Sequence, residues 1–269
     1  MLSVIVTTYN WSKALALCLY GLFDQDDVNF EIIIADDGSD EFNVSQINAI
    51  LTLSPVKVSY VYHQDDGFRA ASIRNKAVAQ SSGKYLIFID GDCVVRQDFI
   101  SRHRSLAEKG YFVPGNRVLL NKDFTEQVLK DNVFLHQKNL AYFFIRRLQN
   151  KINRLSGFLY LPLGKLRLIN PHKWQRAMTC NLGVWRDDFL AVNGFDEFFE
   201  GWGYEDSDLV IRLIHYGVKR KEGRFAVPVL HLWHPQNDKS SKQINYQKLT
   251  DRLNDKNFIV AESGVSQYI

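Results

Sequence analysis

An apolar run that ends in two aspartates, Tyr85-Leu-Ile-Phe-Ile-Asp-Gly-Asp92, decides the fold class of this chain. The run is rich in aromatic and β-branched residues and carries no charge before residue 90, which is typical of a strand buried on both faces. Two carboxylates separated by one glycine can supply oxygen ligands to Mn²⁺ or Mg²⁺. An Asp-Gly surface turn has the same local sequence, so the surrounding pattern must distinguish the two interpretations.

Short apolar runs alternate with helix-length segments over the first hundred residues. Three runs precede the one just quoted, namely Ser3 to Thr8, Glu31 to Ala35 and Val56 to Tyr62. Apolar residues recur at helical spacing in the segments between them, which are Ser12 to Phe23, Asn43 to Leu53 and Ala70 to Gln80. This alternation predicts βαβ units and a mostly parallel sheet flanked by helices, an α/β fold.

Polar clusters follow three of the four strands. They are Thr7-Thr-Tyr-Asn10, Asp36-Asp-Gly-Ser39 and Asp90-Gly-Asp92. Because ligands bind beyond the carboxyl ends of parallel strands, we expect the three clusters to converge on one site. The sequence has no Gly-x-x-x-x-Gly-Lys-Ser/Thr loop and no Gly-x-Gly-x-x-Gly after its first strand. The first absence argues against a P-loop nucleoside triphosphatase, and the second argues against a dinucleotide-dependent dehydrogenase.

The composition of the 269 residues, 46% apolar and 23% charged, is typical of one soluble globular domain or two small ones. The three cysteines, Cys18, Cys93 and Cys180, are far apart in sequence, so we expect free thiols and a reducing compartment. The sequence opens on a strand pattern, and none of its apolar stretches is long enough to span a bilayer. We therefore expect a cytoplasmic protein, free or bound to the inner face of the cytoplasmic membrane.

Four motifs in fixed order resemble the family 2 glycosyltransferases, which have the nucleotide-sugar-binding GT-A fold. They are Val-Ile-Val-Thr-Thr-Tyr-Asn ending at Asn10, Ile-Ile-Ala-Asp-Asp-Gly-Ser ending at Ser39, Ala-Ala-Ser-Ile-Arg-Asn-Lys-Ala ending at Ala77 and Phe-Ile-Asp-Gly-Asp ending at Asp92. Three later segments are similar to the C-terminal half of the galactosyltransferase and chondroitin-polymerase group. They are Thr179 to Arg186, Asn193 to Glu197 and Gly201 to Leu209.

The resemblance covers about residues 1–120 and 175–235, and it implies a single GT-A domain. Within that domain we predict a nucleotide-sugar-binding half at 1–120, a basic helical insert at 121–175, an acceptor-binding and catalytic half at 176–236 and a C-terminal tail at 237–269. Asn237 to Lys242 is predicted as a loop and Gln243 to Arg252 as a short helix. The tail either covers the active site or completes the surface.

The resemblance assigns the nucleotide pocket to residues at the strand ends. It implies that Thr7 and Tyr9 line this pocket and that Asp36 or Asp37 accepts a hydrogen bond from the uracil of a UDP-sugar. Arg74 would lie near the base or the pyrophosphate.

The resemblance also implies a metal and a further donor contact. Asp90 and Asp92 would bridge the donor diphosphate through Mn²⁺ or Mg²⁺, with Asp92 the more direct ligand. Asp65-Asp-Gly-Phe-Arg69 is similar to a motif of polysaccharide-polymerising members. Arg69 is therefore a candidate donor contact, whereas Asp65 is predicted to be the N-cap of the helix that follows.

The segment Gly201-Trp-Gly-Tyr-Glu-Asp206 combines a flat aromatic ring, flexible glycines and adjacent carboxylates. By resemblance, Asp206 is the base that takes the proton of the acceptor hydroxyl, Glu205 binds or orients the acceptor, and Trp202 stacks on a sugar ring. The alternative is simple capping of an amphipathic helix over Asp208 to Tyr216. Asp208 is predicted to be a cap only.

Two histidines, His231 and His234, follow an apolar run near the end of the resemblance. No further soft ligands stand close by in sequence, so a structural zinc site is not predicted. By resemblance, His234 completes the metal site of the two aspartates, and His231 is the less favoured candidate. Packing among aromatic residues is the alternative for both side chains.

Residues 132–186 contain no Asp or Glu and ten Lys or Arg. The chain as a whole has a net charge of +3, so the remainder is acidic, at −7. Aromatic and aliphatic residues interleave with these cations, as in segments that lie in an anionic headgroup layer. An acceptor groove for a charged glycan and a solvated basic face remain alternatives. No nucleic-acid-binding motif accompanies the segment. We favour a membrane surface or a lipid-linked acceptor.

The resemblance implies an inverting, metal-dependent transferase that moves a hexose or an N-acetylhexosamine from a UDP-sugar to a growing surface polysaccharide or a lipid-linked oligosaccharide. A nucleotidylyltransferase shares the architecture but needs a glycine-rich activating loop near the N-terminus, which this sequence lacks. A non-catalytic carbohydrate-binding or membrane-binding domain is a third hypothesis, and release of UDP by the purified protein would exclude it.

Overall fold

The computed structural model describes residues 1–235 and 238–269. The strands there are β1 (Leu2–Thr8), β2 (Phe30–Asp36), β3 (Val58–Tyr62), β4 (Tyr85–Asp90), β5 (Cys93–Val95), β6 (Tyr111–Pro114), β7 (Asn116–Leu119), β8 (Asn181–Trp185), β9 (Lys219–Arg220) and β10 (Pro228–His231). The α-helices there are α1 (Ser12–Phe23), α2 (Glu41–Leu51), α3 (Ala70–Gln80), α4 (Phe99–Leu106), α5 (Lys122–Lys130), α6 (Leu140–Leu148), α7 (Arg186–Ala191), α8 (Glu205–His215) and α9 (Lys242–Asn254).

A seven-stranded sheet in the order β3-β2-β1-β4-β8-β6-β9 forms the centre of the molecule. Strands β1 to β4 are parallel to one another, and β8 runs antiparallel to both of its neighbours. A second sheet, β5-β10-β7, lies beside it. The predicted mostly parallel sheet is therefore confirmed, and the antiparallel β8 is a feature that the motifs did not reveal.

Helices cover both faces of the large sheet because its central strands are apolar on both sides. Val4 and Val6 of β1 face a cluster with α1, whereas Ile5 between them faces a cluster that contains residues of α3 and α8. Successive side chains of a strand point to opposite faces, so one run of three residues contributes to two cores.

The basic segment folds into α6 and short 3-10 turns, at Leu135–Gln137, Ser156–Phe158 and Gly164–Leu168, so its helical character is confirmed in part. With α5, it packs a third apolar cluster against the second sheet. Phe143 of α6 stacks on Phe158 with ring centroids 4.1 Å apart, and both contact this cluster.

Helix boundaries agree closely with the sequence pattern at α1 and α3. Helix α2 begins two residues early, at Glu41, because Asp40 accepts the backbone N–H of Asn43 at 2.8 Å as its N-cap. Helix α9 extends beyond the predicted helix, to Asn254. The predicted loop from Asn237 includes residue 237, which lies outside the described residues.

The prediction that Asp208 is a cap is wrong, because α8 begins at Glu205 and encloses it. Asp208 and Arg212 are both fully buried, one helical turn apart, and the guanidinium Nε donates to the carboxylate at 2.8 Å. Arg212 also donates to the backbone carbonyls of Val192 and Gly194. Arg212 of this pair therefore links α8 to the segment between α7 and α8.

The three cysteines are free and buried, as expected. None of the helices in the described residues is long and apolar enough to cross a bilayer.

Candidate functional site

The strand ends meet as the sequence predicts, because the register of the parallel strands aligns them. Thr7 of β1 lies opposite Asp90 of β4, and Thr8 lies opposite Asp36 of β2. The C-terminal half of the chain reaches the same place through the start of α8. The structure thus gathers residues separated by more than a hundred positions in sequence.

Arg74 joins the two halves of the site. Its Nε donates to Thr7 Oγ1 at 3.0 Å, one terminal nitrogen donates to Asp90 at 3.2 Å and the other donates to Glu205 at 3.0 Å. Burial opposes the charge, but Asp90 and Glu205 outweigh it and raise the pKa of Arg74. A buried cation therefore lies between the strand-end residues Thr7 and Asp90 and the carboxylate pair at the start of α8.

Asp206 is the strongly perturbed carboxylate of the site. Burial and the neighbouring charge of Glu205 raise its pKa to about 7, although Arg74 lowers it and the Ser207 hydroxyl donates to it at 3.2 Å. A carboxylate with a pKa near neutrality suits general base catalysis. Glu205, by contrast, is held by the guanidinium of Arg74. Two adjacent acids thus have different surroundings, since Glu205 pairs with Arg74 and Asp206 has the raised pKa.

The raised pKa of Asp206 predicts the direction in which kcat/KM changes with pH. Only the ionised carboxylate can take a proton, so kcat/KM should rise with pH to a plateau, with its midpoint near 7. Replacement Arg74→Gln removes a charge that lowers this pKa and should move the midpoint to higher pH. Lys84→Gln, at an exposed lysine, serves as the control. Identical midpoints in all three proteins would contradict the assignment.

Asp36, one of the two predicted uracil contacts, forms hydrogen bonds within the protein. It is fully buried, and its carboxylate accepts the Tyr60 hydroxyl at 2.6 Å and the Ser39 backbone N–H at 2.8 Å. It closes the turn after β2. The turn also requires Gly38, whose φ is 103° and where a Cβ would lie 2.5 Å from Cα of Asp65.

Asp37 is also buried. It remains a candidate for the hydrogen bond to the uracil ring. It accepts hydrogen bonds from His63 at 2.7 Å and from the backbone N–H of Arg69 at 2.9 Å. Lys76 can only donate to His63 Nδ1, at 3.2 Å, so the imidazole donates through Nε2 to Asp37. Sequence reasoning missed His63 and Lys76. The sequence signal for His63 was its position directly after a strand of the parallel sheet.

Asp65 is not the N-cap of α3, contrary to prediction. The cap position is Arg69, with no side-chain hydrogen bond, and Asp65 instead accepts the Tyr9 hydroxyl at 2.9 Å. Its other oxygen accepts the Gly67 backbone N–H. Arg69 donates to the Gln64 carbonyl at 2.7 Å. These contacts with Gln64 and Asp65 place Arg69 and the half-exposed ring of Tyr9 at the segment between β3 and α3.

A cavity of about 640 Å³ lies beside the ends of β2 and β3. Its lining includes Asn10, Ser39, Tyr62 and Asp65. This concave surface next to the strand-end clusters has the size of a small-molecule site.

Asp92, His231 and His234 form a cluster that could hold a metal ion. Their ligand atoms all lie within 4.8 Å of one another. Antiparallel pairing of β10 with β5 sets His231 opposite Cys93, beside Asp92, with His231 Nε2 3.7 Å from the carboxylate. His234 Nε2 is 3.4 Å from the other carboxylate oxygen. His231, the less favoured residue in the sequence, thus joins the group, whereas Asp90 is held by Arg74 instead.

The donor atoms fit a divalent transition ion. Two imidazole nitrogens and one carboxylate oxygen suit Mn²⁺ better than Mg²⁺, which prefers oxygen ligands alone. Burial raises the pKa of Asp92, while the two histidines oppose this shift. Three protein ligands leave coordination positions open, as a site that binds a diphosphate requires.

The loop before α8 and the C-terminal helix α9 form a second concave surface. Gly201 and Gly203 have φ of 72° and 113°, and Tyr204, at the cap position of α8, has φ of 74°. The Tyr204 ring lies 5.5 Å from that of Tyr246 on α9, and Lys239 lies over the ring of Trp202. A cavity of about 420 Å³ separates the loop from α9. Residues of the tail therefore pack against the loop that precedes α8.

Fold and site together define a nucleotide-sugar-binding protein of the GT-A class. The chain belongs to glycosyl transferase family 2, whose family model matches residues 3–161. A second family model, described as the N-terminal domain of galactosyltransferase, matches residues 168–234. The family resemblance read from the motifs is thereby confirmed in both halves.

Two curated relatives show how far the likeness extends. Validoxylamine A glucosyltransferase of Streptomyces hygroscopicus subsp. jinggangensis is 28% identical over 81% of this chain and 52% of its own length. Chondroitin synthase of Escherichia coli is 26% identical over 80% of this chain and 32% of its own length. The chain therefore spans about half of the first relative and about a third of the second.

Solved structures agree on the fold. S. aureus TarS 1-349 in complex with UDP-GlcNAc has a TM-score of 0.60 and 14% identity, over 99% of this chain and 69% of that one. The mannosyltransferase PcManGT from Pyrobaculum calidifontis, in complex with GDP-Man and Mn2+, has a TM-score of 0.59 and 15% identity, over 94% of this chain and 62% of that one. At these identities the likeness shows the GT-A fold alone.

Proposed function

We propose that this chain is an inverting, metal-dependent glycosyltransferase that moves a hexose or an N-acetylhexosamine from a UDP-sugar to a growing surface polysaccharide or a lipid-linked oligosaccharide. The observation that carries the proposal is the set of Arg74 contacts with Thr7 and Asp90 on the donor side and with Glu205 beside the base. One buried cation thus couples the residues assigned to the donor with those assigned to the acceptor.

The nucleotide is assigned to the carboxyl ends of β1 and β2, next to the cavity of about 640 Å³. Tyr9, whose ring is half exposed, would stack on or border the base, and Asp37 would accept its N–H. TarS, a neighbour in fold, is described in complex with UDP and with UDP-GlcNAc, which supports a UDP-sugar donor.

Asp92, His231 and His234 would hold the divalent cation at the diphosphate. When bound, such an ion stabilises the negative charge that develops on the departing nucleoside diphosphate, so no general acid is needed. Arg74 adds a fixed positive charge next to Asp90. The Mn²⁺ complex of a structural neighbour supports the choice of this metal.

Asp206 takes the proton from the acceptor hydroxyl while the hydroxyl oxygen attacks the anomeric carbon. The new bond joins that oxygen to the carbon, the bond from the carbon to the diphosphate breaks, and UDP leaves with the electron pair. A single displacement inverts the anomeric configuration. Glu205, whose carboxylate accepts a hydrogen bond from Arg74, orients the acceptor.

The acceptor is assigned to the cavity of about 420 Å³ between the catalytic loop and α9. Tyr204 and Tyr246 line this cavity and offer aromatic faces on which sugar rings can stack, and Gln243 offers an amide for their hydroxyls. Trp202, in the same loop as Tyr204, is a further candidate for stacking on the acceptor, with Lys239 over its ring. Because Tyr204 is two residues before Asp206, a sugar on these rings lies close to the base.

A donor screen tests the proposed function directly. Purified protein is incubated with Mn²⁺ and a panel of UDP-sugars, and UDP release is measured with and without metal. We expect release from one or a few donors, dependence on the metal and loss of release in Asp206→Asn. Asp187→Asn, at an exposed aspartate outside the site, is the matched control. No release from any donor with any metal would assign the chain to the non-catalytic class.

Chelation and metal replacement test the histidine-containing cluster. EDTA should abolish UDP release, and Mn²⁺ should restore it at lower concentration than Mg²⁺ because two ligands are imidazoles. His231→Ala should weaken Mn²⁺ binding about tenfold or more, measured by titration calorimetry. His172→Ala, at an exposed histidine, should leave Mn²⁺ binding unchanged. Equal affinity in both variants would remove His231 from the ligand set.

A further inference from the structure

Helix α6 presents an apolar stripe to solvent. Leu140, Phe144 and Leu148 recur every fourth residue and are 50%, 51% and 69% exposed, and Ile145 beside them is 51% exposed. Residues four apart share one face of a helix, so these side chains form a continuous ridge. The opposite face is anchored, since Phe143 is fully buried in the third cluster. The outward direction of the stripe is therefore fixed by packing.

The segment that carries this stripe has charges of one sign only. No acid occurs from residue 132 to residue 186, and the structure sorts the ten cations of that segment. Arg167 is buried and donates to three backbone carbonyls, and Arg186 donates to the Ser81 hydroxyl. Arg147, in the last turn of α6, and Arg154, in the segment after this helix, are exposed in contrast. Helix α5 beside it carries two lysines and two acids and adds no net charge.

We propose that α6 is an interfacial helix that docks on an anionic lipid bilayer, with Leu140, Phe144, Ile145 and Leu148 in the acyl boundary and Arg147 and Arg154 on lipid phosphates. Exposed large apolar side chains, in a segment that has ten cations and no acid, complement such a surface in both shape and charge. A soluble acidic protein would match the cations but not the long apolar ridge. The proposal concerns an interaction surface and does not depend on which sugar is transferred.

The docking helix shares an apolar cluster with the strand that carries His231. The third cluster, in which Phe143 is buried, also contains Leu230 and Leu232, the residues on either side of His231. A bilayer bound at α6 thus contacts an element whose far side supports a proposed metal ligand. This arrangement fits a transferase whose acceptor is linked to a lipid.

Vesicle sedimentation tests the apolar part of the surface. Vesicles of phosphatidylcholine alone are compared with vesicles that contain three parts in ten of phosphatidylglycerol. Wild-type protein should bind the anionic vesicles at least tenfold more tightly, and Phe144→Ser/Leu148→Ser should lose tenfold or more, which corresponds to about 1.4 kcal/mol. The matched control is Phe42→Ser/Leu53→Ser, which removes an equally exposed pair from another face. It should bind as the wild type does.

The charged part is tested on the same vesicles. Arg147→Gln/Arg154→Gln should weaken binding several-fold at low salt and reduce its salt dependence, because two cations near the surface are lost. Lys219→Gln/Lys256→Gln, at two exposed lysines elsewhere, is the matched control and should have no effect. UDP release toward water or a soluble acceptor is measured in every variant and should stay unchanged, so loss of docking and loss of catalysis are distinguishable.

Three outcomes would overturn the proposal. The first is equal binding of wild-type protein to anionic and neutral vesicles, and the second is equal loss of binding in the α6 variant and its Phe42 control. The third is a wild-type dimer, seen by light scattering, that Phe144→Ser/Leu148→Ser converts to a monomer without any change in vesicle binding. That result would assign the stripe to a second copy of this chain.

Discussion

Replacement of Asp206 by asparagine is expected to lower the rate of sugar transfer by about 10² to 10⁴-fold, the usual contribution of a general base. The asparagine keeps the shape of the side chain but cannot take the proton of the acceptor hydroxyl. Asp92→Ala should also abolish transfer, for a different reason, because it removes the carboxylate of the proposed metal site. Only the second variant should lose metal-dependent UDP binding, by about tenfold or more.

The two variants separate the roles because they are measured by two quantities, transfer rate and UDP affinity. Calorimetry with UDP and Mn²⁺ should give wild-type affinity for Asp206→Asn and weak binding for Asp92→Ala. Asp187→Asn should match the wild type in both quantities, since that carboxylate is exposed and pairs with a surface lysine. Equal UDP affinity in Asp92→Ala and Asp206→Asn would refute the assigned roles.

Replacement Arg212→Met is expected to lower the free energy of unfolding by about 3–5 kcal/mol, because it leaves Asp208 buried without its partner. Both side chains are fully buried, and the guanidinium also satisfies the carbonyls of Val192 and Gly194. Urea unfolding followed by circular dichroism measures the change. The start of α8 carries Glu205 and Asp206, so transfer activity should fall with the loss of this attachment.

A matched pair on the surface isolates the effect of burial. Lys122 and Glu126 have the same spacing of one helical turn but are exposed, 3.9 Å apart. Lys122→Met should therefore cost less than about 1 kcal/mol. The double variant Asp208→Asn/Arg212→Met should recover part of the stability lost in Arg212→Met, because no unpaired charge remains buried. A double variant less stable than Arg212→Met would show that the cost arises from lost packing.

The sequence predicted the first hundred residues well because their signals are local. Strands buried on both faces appear as uninterrupted apolar runs, and the helices between them show the helical period. The two helix predictions that the structure reproduces in full, α1 and α3, lie between such strands. With right-handed crossovers, the sheet order β3-β2-β1-β4 places α1 and α2 on one face and α3 on the other.

Predictions from the sequence were wrong where the same local pattern allows a carboxylate more than one structural role. Asp65 and Asp208 stand where the sequence predicts a helix cap. The structure pairs Asp65 with the Tyr9 hydroxyl and Asp208 with the buried Arg212 instead. A capping pattern and a buried ion pair both place an acid near the start of a helix. Only the position of the partner side chain separates them, and that partner is distant in sequence or one turn away.

By itself, the sequence determined the family, the mostly parallel α/β core and the strand-end clusters, because these depend on residues close together in the chain. Tertiary structure alone decided which of those residues act together. Antiparallel pairing of β10 with β5 brings His231 to Asp92, and the burial of α3 brings Arg74 to Glu205. It also decided that α6 turns apolar side chains outward. Such contacts arise from register and packing across the fold, which no local pattern encodes.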